Sequence, residues 1–212
     1  MVGPLGFTDM DPEGMLTWGF DQLGTMPTIY NYPYYPEHIK AIGGFEVDNK
    51  YVENKLMVPE AVPEKYAKIA AMIQKRYNLH VVKLTKKMVF DEGYGQKIFD
   101  LVNATYSHLY GYSQLTQKQI NQYIKMYLSM LDLEFVTLIE DWTGDERKLV
   151  GAGISMPSLS IALQKCHRGR MLPFGWWHLL RAIKFHKTKI VDLLLVGILP
   201  EYRAKGANAL LF

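Results

Sequence analysis

The stretch that most constrains this chain is Lys189 to Phe212, KIVDLLLVGILPEYRAKGANALLF. Nine of the ten residues from Ile190 to Leu199 are apolar or Gly, without helical periodicity. Such a run, bounded by turn chemistry, predicts a strand buried on both faces of a sheet covered by helices. Pro200 removes a backbone donor and closes the strand. The basic, small-residue segment Arg203, Ala204, Lys205, Gly206, Ala207, Asn208 predicts an open turn. Asn208 is then the expected cap of a helix opening at Ala209. A buried strand, a Gly-containing basic turn and a helix start make an anion site. Free amides attract phosphate, Gly permits close approach and cations add charge. The plain alternative is an ordinary strand-to-helix connection.

From Val196 to Leu211 the residues read V-x-x-L-P-E-Y-R-x-K-G-x-N-A-L-L. This resembles the signature of the GNAT superfamily of acyl-CoA-dependent N-acyltransferases. Arg203 and Gly206 match it, and Asn208 stands where Gly or Ala is usual. The resemblance implies acetyl-CoA or another acyl-CoA as co-substrate and a primary amine as acceptor; no metal is expected, because the histidines lack metal spacing. It also implies that the backbone at Gly197, Ile198 and Leu199 holds the pantetheine arm and the developing oxyanion.

The chain has 212 residues and a single cysteine, Cys166, so no internal disulfide forms and a reducing compartment is expected. No apolar run reaches the roughly 18 residues that span a bilayer. The start, MVGPLGFTDMDPEG, has neither a basic opening nor an apolar core, so it is no signal peptide. A cytoplasmic location is the expectation. The net charge of +3 hides an asymmetry: residues 1–60 hold three Lys against nine Asp or Glu. Opposite charge on two segments favours docking against each other or against different partners.

Taken in order, residues 1–24 are turn-rich, and Thr25 to Tyr30 reads as a short strand. A helix from Glu37 to Ile42 ends at Gly43-Gly44. Phe45 to Val47 and Tyr51 to Val58 read as a hairpin. Pro63-Glu64 opens a helix to Asn78, with Tyr66, Ile69, Ala70, Ile73 and Tyr77 on one face. A strand follows near Val81, a helix from Gly95 to about Tyr110, and a helix capped by Thr116. A strand is expected over Phe135 to Glu140, a turn over Trp142 to Asp145, and the strand's antiparallel partner over Leu149 to Met156. Helices follow from Ser158 to Cys166 and from Trp176 to Phe185.

The fold class is therefore α/β, a mixed central sheet flanked by helices, similar to the acyl-CoA N-acyltransferases. Residues 59–212 resemble the N-terminal half of a GNAT-like domain, and residues 1–58 the C-terminal half. The halves stand in reverse order. Either the chain joins the tail of one domain to the head of a second, as in bacterial tandem GNAT-like proteins, or both halves pair as one permuted domain.

Acyl transfer also needs a group that takes the amine's proton and one that protonates the leaving thiolate. The resemblance puts a Tyr and an Asn near the thioester, on a helix ending in Gly-Phe. Asn31, Tyr34 and Tyr35 are the candidates, with Tyr34 or Tyr35 as the proton donor. No carboxylate stands out as base. Asp192 is expected at the solvated start of its strand, paired with Lys189 or Arg170, and Glu140 and Asp141 as solvated turn residues. His167, His178 and His186 lack metal spacing. Cys166 reads as a structural helix residue.

Residues 165–189 hold seven Lys or Arg, three His and no acid around Trp176-Trp177. The simple reading is a solvated amphipathic helix, with Trp177, Leu180, Ala182 and Ile183 packed inward. The rival to an enzyme is an inactive, GNAT-like interaction module. It would bind nucleic acid or a protein partner through this basic segment.

Overall fold

Why the backbone forms these elements is visible at their ends. The structure, a computed structural model, describes residues 1–8, 10–128, 131–166 and 169–211; the expectations placed on His167 and Phe212 lie outside them. In chain order come α1 (Tyr34–Ile42), α2 (Glu64–Tyr77), β1 (Leu79–Lys83), α3 (Lys86–Phe90), α4 (Tyr94–Tyr106) and α5 (Gln117–Tyr123). Then follow β2 (Val136–Asp141), β3 (Lys148–Pro157), α6 (Ser160–Lys165), α7 (Gly175–Ile183), β4 (Val191–Ile198) and α8 (Pro200–Arg203). A 3-10 turn, Ala207–Leu210, completes the order. Asn78 ends α2 in the left-handed conformation, and Thr116 starts α5 with a reciprocal capping box to Gln119.

The chain divides into two compact units, one of residues 1–58 and 157–190, the other of residues 59–156 and 191–212. The second carries the sheet, ordered β1-β2-β3-β4. Val82 pairs with Leu138, and Leu138 with Ala152, both antiparallel. Ile139 faces Gly151 while Glu140 faces Leu149, so Val150 bulges from β3. β4 also runs antiparallel, because Leu199 N donates to Val150 O and Ser158 N to Ile190 O.

Both faces of this sheet are covered. On one, Ile73 of α2, Leu79, Ile139, Val150, Ile198, Tyr202, Ala207 and Leu210 form one buried cluster. On the other, α4 buries Ile98, Leu101, Val102 and Thr105. Gly197 belongs to that seam: a Cβ there would stand 2.7 Å from Thr105 Oγ1.

The first unit departs from expectation. α1 forms and ends at Gly43, but residues 45–58 and 25–30 carry no strand. Their apolar residues find no sheet to complete, and Val52, Leu56 and Val58 are exposed. A two-stranded hairpin with no covering layer is marginal by itself.

β4 is not buried along its whole length. Val191 and Leu193 are exposed while Asp192 between them is buried, the reverse of the expected solvated acid. The turn after it also differs. Its helix begins at Pro200, not at Ala209, and Gly206, not Asn208, precedes the 3-10 turn.

Gly206 lies at φ +79°, and a Cβ there would come within 3.1 Å of Ile73 Cδ1. Gly206→Ala is therefore expected to cost about 1–2 kcal/mol, from left-handed backbone alone. Ile73→Val removes the crowding methyl, so the double variant should cost less than the two single changes added. Urea denaturation of the four proteins measures this; strict additivity would mean that Gly206 and Ile73 do not press on each other.

Candidate functional site

The turn after β4 is closed by its own groups. Arg203 N and Tyr202 N both donate to Leu199 O, Lys205 N to Tyr202 O, and Gly206 N to Arg203 O. Ala204 N also donates to Tyr202 O. The amides expected to stand bare at Arg203, Ala204, Lys205 and Gly206 are thus engaged within the turn. Ala207 and Asn208 open the 3-10 turn, where an amide has no partner in the same turn. The Ala207 side chain is buried and that of Asn208 exposed.

Arg203 is turned toward the protein: its Nε donates to Ile198 O at 2.8 Å and its Nη2 to Thr105 O at 3.4 Å. This bond fixes which way the strand end faces. Leu199 N points to Val150, so Gly197 shares that inward orientation by alternation and Ile198 points outward. Of the three backbone candidates, Ile198 is the one whose N–H lies on the open edge. Two residues earlier the same edge is capped. The Tyr106 hydroxyl donates to Val196 O at 3.2 Å and accepts from Val196 N at 3.1 Å. Burial holds the Tyr106 hydroxyl above the ordinary tyrosine pKa, so it stays neutral in this role.

Along that edge runs a groove of about 300 Å³ lined by Val196, Ile198, Arg203 and Asn208. A second cleft, of about 540 Å³, lies where α4 meets the β2–β3 turn. Lys97, Arg147 and Lys148 line it together with Asp100 and Glu146. Lys205 adds positive charge near the turn, its Nζ 4.1 Å from the Tyr202 ring centre and 5.6 Å from that of Tyr77.

Two carboxylates that the sequence placed in a solvated turn are buried. Glu140 accepts from the Tyr94 hydroxyl and from Trp142 Nε1 at 2.8 Å. Trp142 lies between the His80 ring, 3.8 Å away, and the Arg147 guanidinium at 4.2 Å. Burial first, then the Glu140 bond, pushes Tyr94 up to about 12. Asp141 accepts from the Tyr202 hydroxyl at 2.6 Å and from the Thr143 hydroxyl and amide. The signal for both was an acidic pair between an apolar strand and a Trp. Reading it needed the opposite partners, Tyr94 and Tyr202, 46 and 61 residues away.

The other candidates sit in the first unit. Tyr34 and Tyr35 lie on α1, with ring centres 4.8 Å apart, in a stack that includes Tyr32 and His38. The bond to Tyr35 raises the Tyr34 hydroxyl pKa, with smaller contributions from burial and neighbouring phenols. Asn31 is committed to the backbone, accepting from Leu16 N and donating to Leu16 O. Cys166 is buried and donates to Ala162 O and Gly175 O, a structural use.

The Tyr202–Asp141 bond ties the turn to β2, and its pH dependence follows from opposite shifts. Burial opposes ionisation of Asp141, but the bonds from Tyr202 and Thr143 outweigh it and lower its pKa below 3.8. Tyr202 is raised to about 12, by burial first and then by Asp141. The carboxylate contribution is therefore present at neutral pH and lost as pH falls below that ordinary value; the phenol contribution is lost as pH rises from 10 through about 12. Tyr202→Phe should cost about 1.5–3 kcal/mol at neutral pH, the range for a hydrogen bond to a charged group. That loss should shrink once Asp141 is protonated. Chemical denaturation at neutral and strongly acidic pH tests this, and an equal loss at both would exclude it.

No family model matches the chain. It is 20% identical to the bacterial ceramide synthase of Caulobacter vibrioides (strain NA1000 / CB15N), over 99% of its own residues and 52% of the relative's. The chain thus spans about half the length of that curated relative.

Proposed function

We propose that this chain is part of an N-acyltransferase that moves a fatty acyl group from acyl-CoA to the amine of a long-chain amino alcohol. The observation that carries the reading is the β4 edge, with an outward Ile198 N–H beside a groove lined by Arg203 and Asn208. The similarity to a ceramide synthase along nearly the whole chain supports the acceptor class, since a ceramide is the amide of a long-chain amino alcohol. The resemblance of Val196 to Leu211 to the GNAT signature supports acyl-CoA as donor.

In this reading the neutral amine attacks the thioester carbonyl. A C–N bond forms, the carbonyl becomes an oxyanion, and collapse expels the thiolate. The Ile198 N–H is the fixed donor at the strand edge for a carbonyl of the donor molecule. The cations of the second cleft, Lys97, Arg147 and Lys148, supply charge for its phosphates. The ammonium, with a pKa near 10, first releases one proton to solvent. The second proton, lost from nitrogen as the amide forms, returns through water to the group that protonates the thiolate. The GNAT resemblance is what keeps Tyr34, with Tyr35 as its alternate, as our candidate to protonate the thiolate.

The test uses the full-length protein. A long-chain acyl-CoA at a hundredfold excess over its dissociation constant should stabilise it by about 2.7 kcal/mol. Asn208→Asp places a negative charge in the groove without changing side-chain size. It should abolish that gain while leaving unliganded stability unchanged. Mass spectrometry should find an N-acyl amide when sphinganine is added. No acyl-CoA-dependent shift and no amide would overturn the proposal.

A further inference from the structure

Helix α7 buries Ala182 and exposes Arg181 and Lys184 as the sequence predicts, but Trp177 and Ile183, expected inside, are exposed. Its inward face is made of small residues, Gly175 and Ala182, which are buried. The fit is close: a Cβ on Gly175 would stand 2.1 Å from Arg170 O, and Cys166 Sγ donates to Gly175 O. With the small residues inside, the large apolar ones face out. Trp176, Leu180 and Ile183 are spaced four and three apart and share one stripe. Trp176, Trp177 and Ile183 are exposed, Leu180 half-buried. The segments on either side extend the patch, with Leu172 76% exposed, Phe174 71% and Phe185 55%.

Cations are frequent along the segment that carries this patch. Lys165, Arg170, Arg181, Lys184, Lys187 and Lys189 are all exposed, and residues 165–189 contain no acid. Arg181 and Lys184 lie on the helix strip beside the apolar stripe. An apolar stripe rich in Trp and Leu, flanked by Lys and Arg on a short helix, is the pattern of a helix lying in a membrane interface. A nucleic-acid groove offers aromatics for stacking but has no use for exposed Leu172, Met171 and Ile183.

We infer that α7 and its flanking segments dock on an anionic phospholipid surface. Trp176, Leu180, Ile183, Leu172 and Phe174 enter the headgroup–acyl boundary, and Arg181 and Lys184 meet lipid phosphates. The inference stands on this helix alone and does not require the acyl-transfer reading.

The experiment is co-sedimentation of the full-length protein with phosphatidylglycerol-containing vesicles and with pure phosphatidylcholine vesicles, without acyl-CoA. Binding is expected to the anionic vesicles, with a blue shift of Trp fluorescence, and to weaken with salt. Each cation near the surface contributes about 1 kcal/mol, so Arg181→Gln with Lys184→Gln should weaken partition roughly 30-fold. Trp176→Ser with Ile183→Ser, both at exposed positions, should weaken binding and reduce the blue shift. Lys65→Gln with Lys118→Gln removes the same charge elsewhere and should leave binding unchanged. The inference is overturned if that control loses as much, if neutral vesicles bind equally, or if no vesicle binds. Binding of a single-stranded oligonucleotide in place of vesicles would likewise overturn it. None of these outcomes depends on amide formation, so failure here and failure of the acyl-transfer proposal are separable.

Discussion

The geometry of the candidate site depends on one side chain, Arg203, being spent on the protein itself. Its guanidinium accepts no ligand role at Nε, because that nitrogen holds Ile198 O, and Nη2 reaches back to Thr105 at the end of α4. One residue thereby joins strand end, covering helix and turn. A carbonyl at a sheet edge is otherwise left to water or to another strand. Tyr202 completes the attachment from the other face through Asp141. Without these two bonds the short α8 helix, four residues long, has too few internal bonds to persist.

How far the sequence carried depended on whether a residue's fate is local. The α2 helix was legible to the residue, because Pro63, the apolar spacing and Asn78 act within a few positions. So was the Thr116 cap, and so was the antiparallel partnership of β2 and β3 across a short turn. Residues 45–58 show the opposite case. Tyr51 to Val58 carries the Val, Leu and Tyr content of a strand and is bounded by Pro59, but such propensity has no force until another layer buries one face. Glu140 and Asp141 were misjudged for a related reason: an acid's environment depends on donors distant in sequence. In α7 the inward Ala182 and the outward Arg181 and Lys184 were legible, but the exposure of Trp177 and Ile183 was not. Which face turns inward is decided by how closely backbones can approach, here by Gly175, and hydrophobicity alone points the wrong way.

The same distinction explains what was legible of the site. Gly206 was singled out as an allowance for a phosphate to approach. The conformation gives it another cause, since a positive φ and the contact with Ile73 require glycine whatever binds. Lys205 packs over two tyrosine rings and Arg203 serves the strand end. A basic, glycine-containing turn therefore satisfies its own fold before any ligand is considered. The binding reading rests instead on Asn208, the Ile198 edge and the cations across α4.

β4 is the last strand in the sheet order, and its outer edge is managed at two places. Tyr106 occupies Val196 and Arg203 occupies Ile198 O, which leaves the Ile198 N–H as the donor facing the groove. A second strand adding along this edge would need the Val196 N–H and C=O and the Ile198 C=O as well, and those three are taken. An extended ligand with a carbonyl needs only one. The edge is thus closed to strand addition yet open to a single acceptor, unless the neutral Tyr106 hydroxyl is displaced. Its raised pKa keeps it a weak, uncharged partner, bound at 3.1 and 3.2 Å, so displacing it forfeits only ordinary hydrogen bonds. In the acyl-transfer proposal, an amide-bearing arm laid along β4 would have to displace Tyr106 and restore both Val196 bonds, as any added strand would.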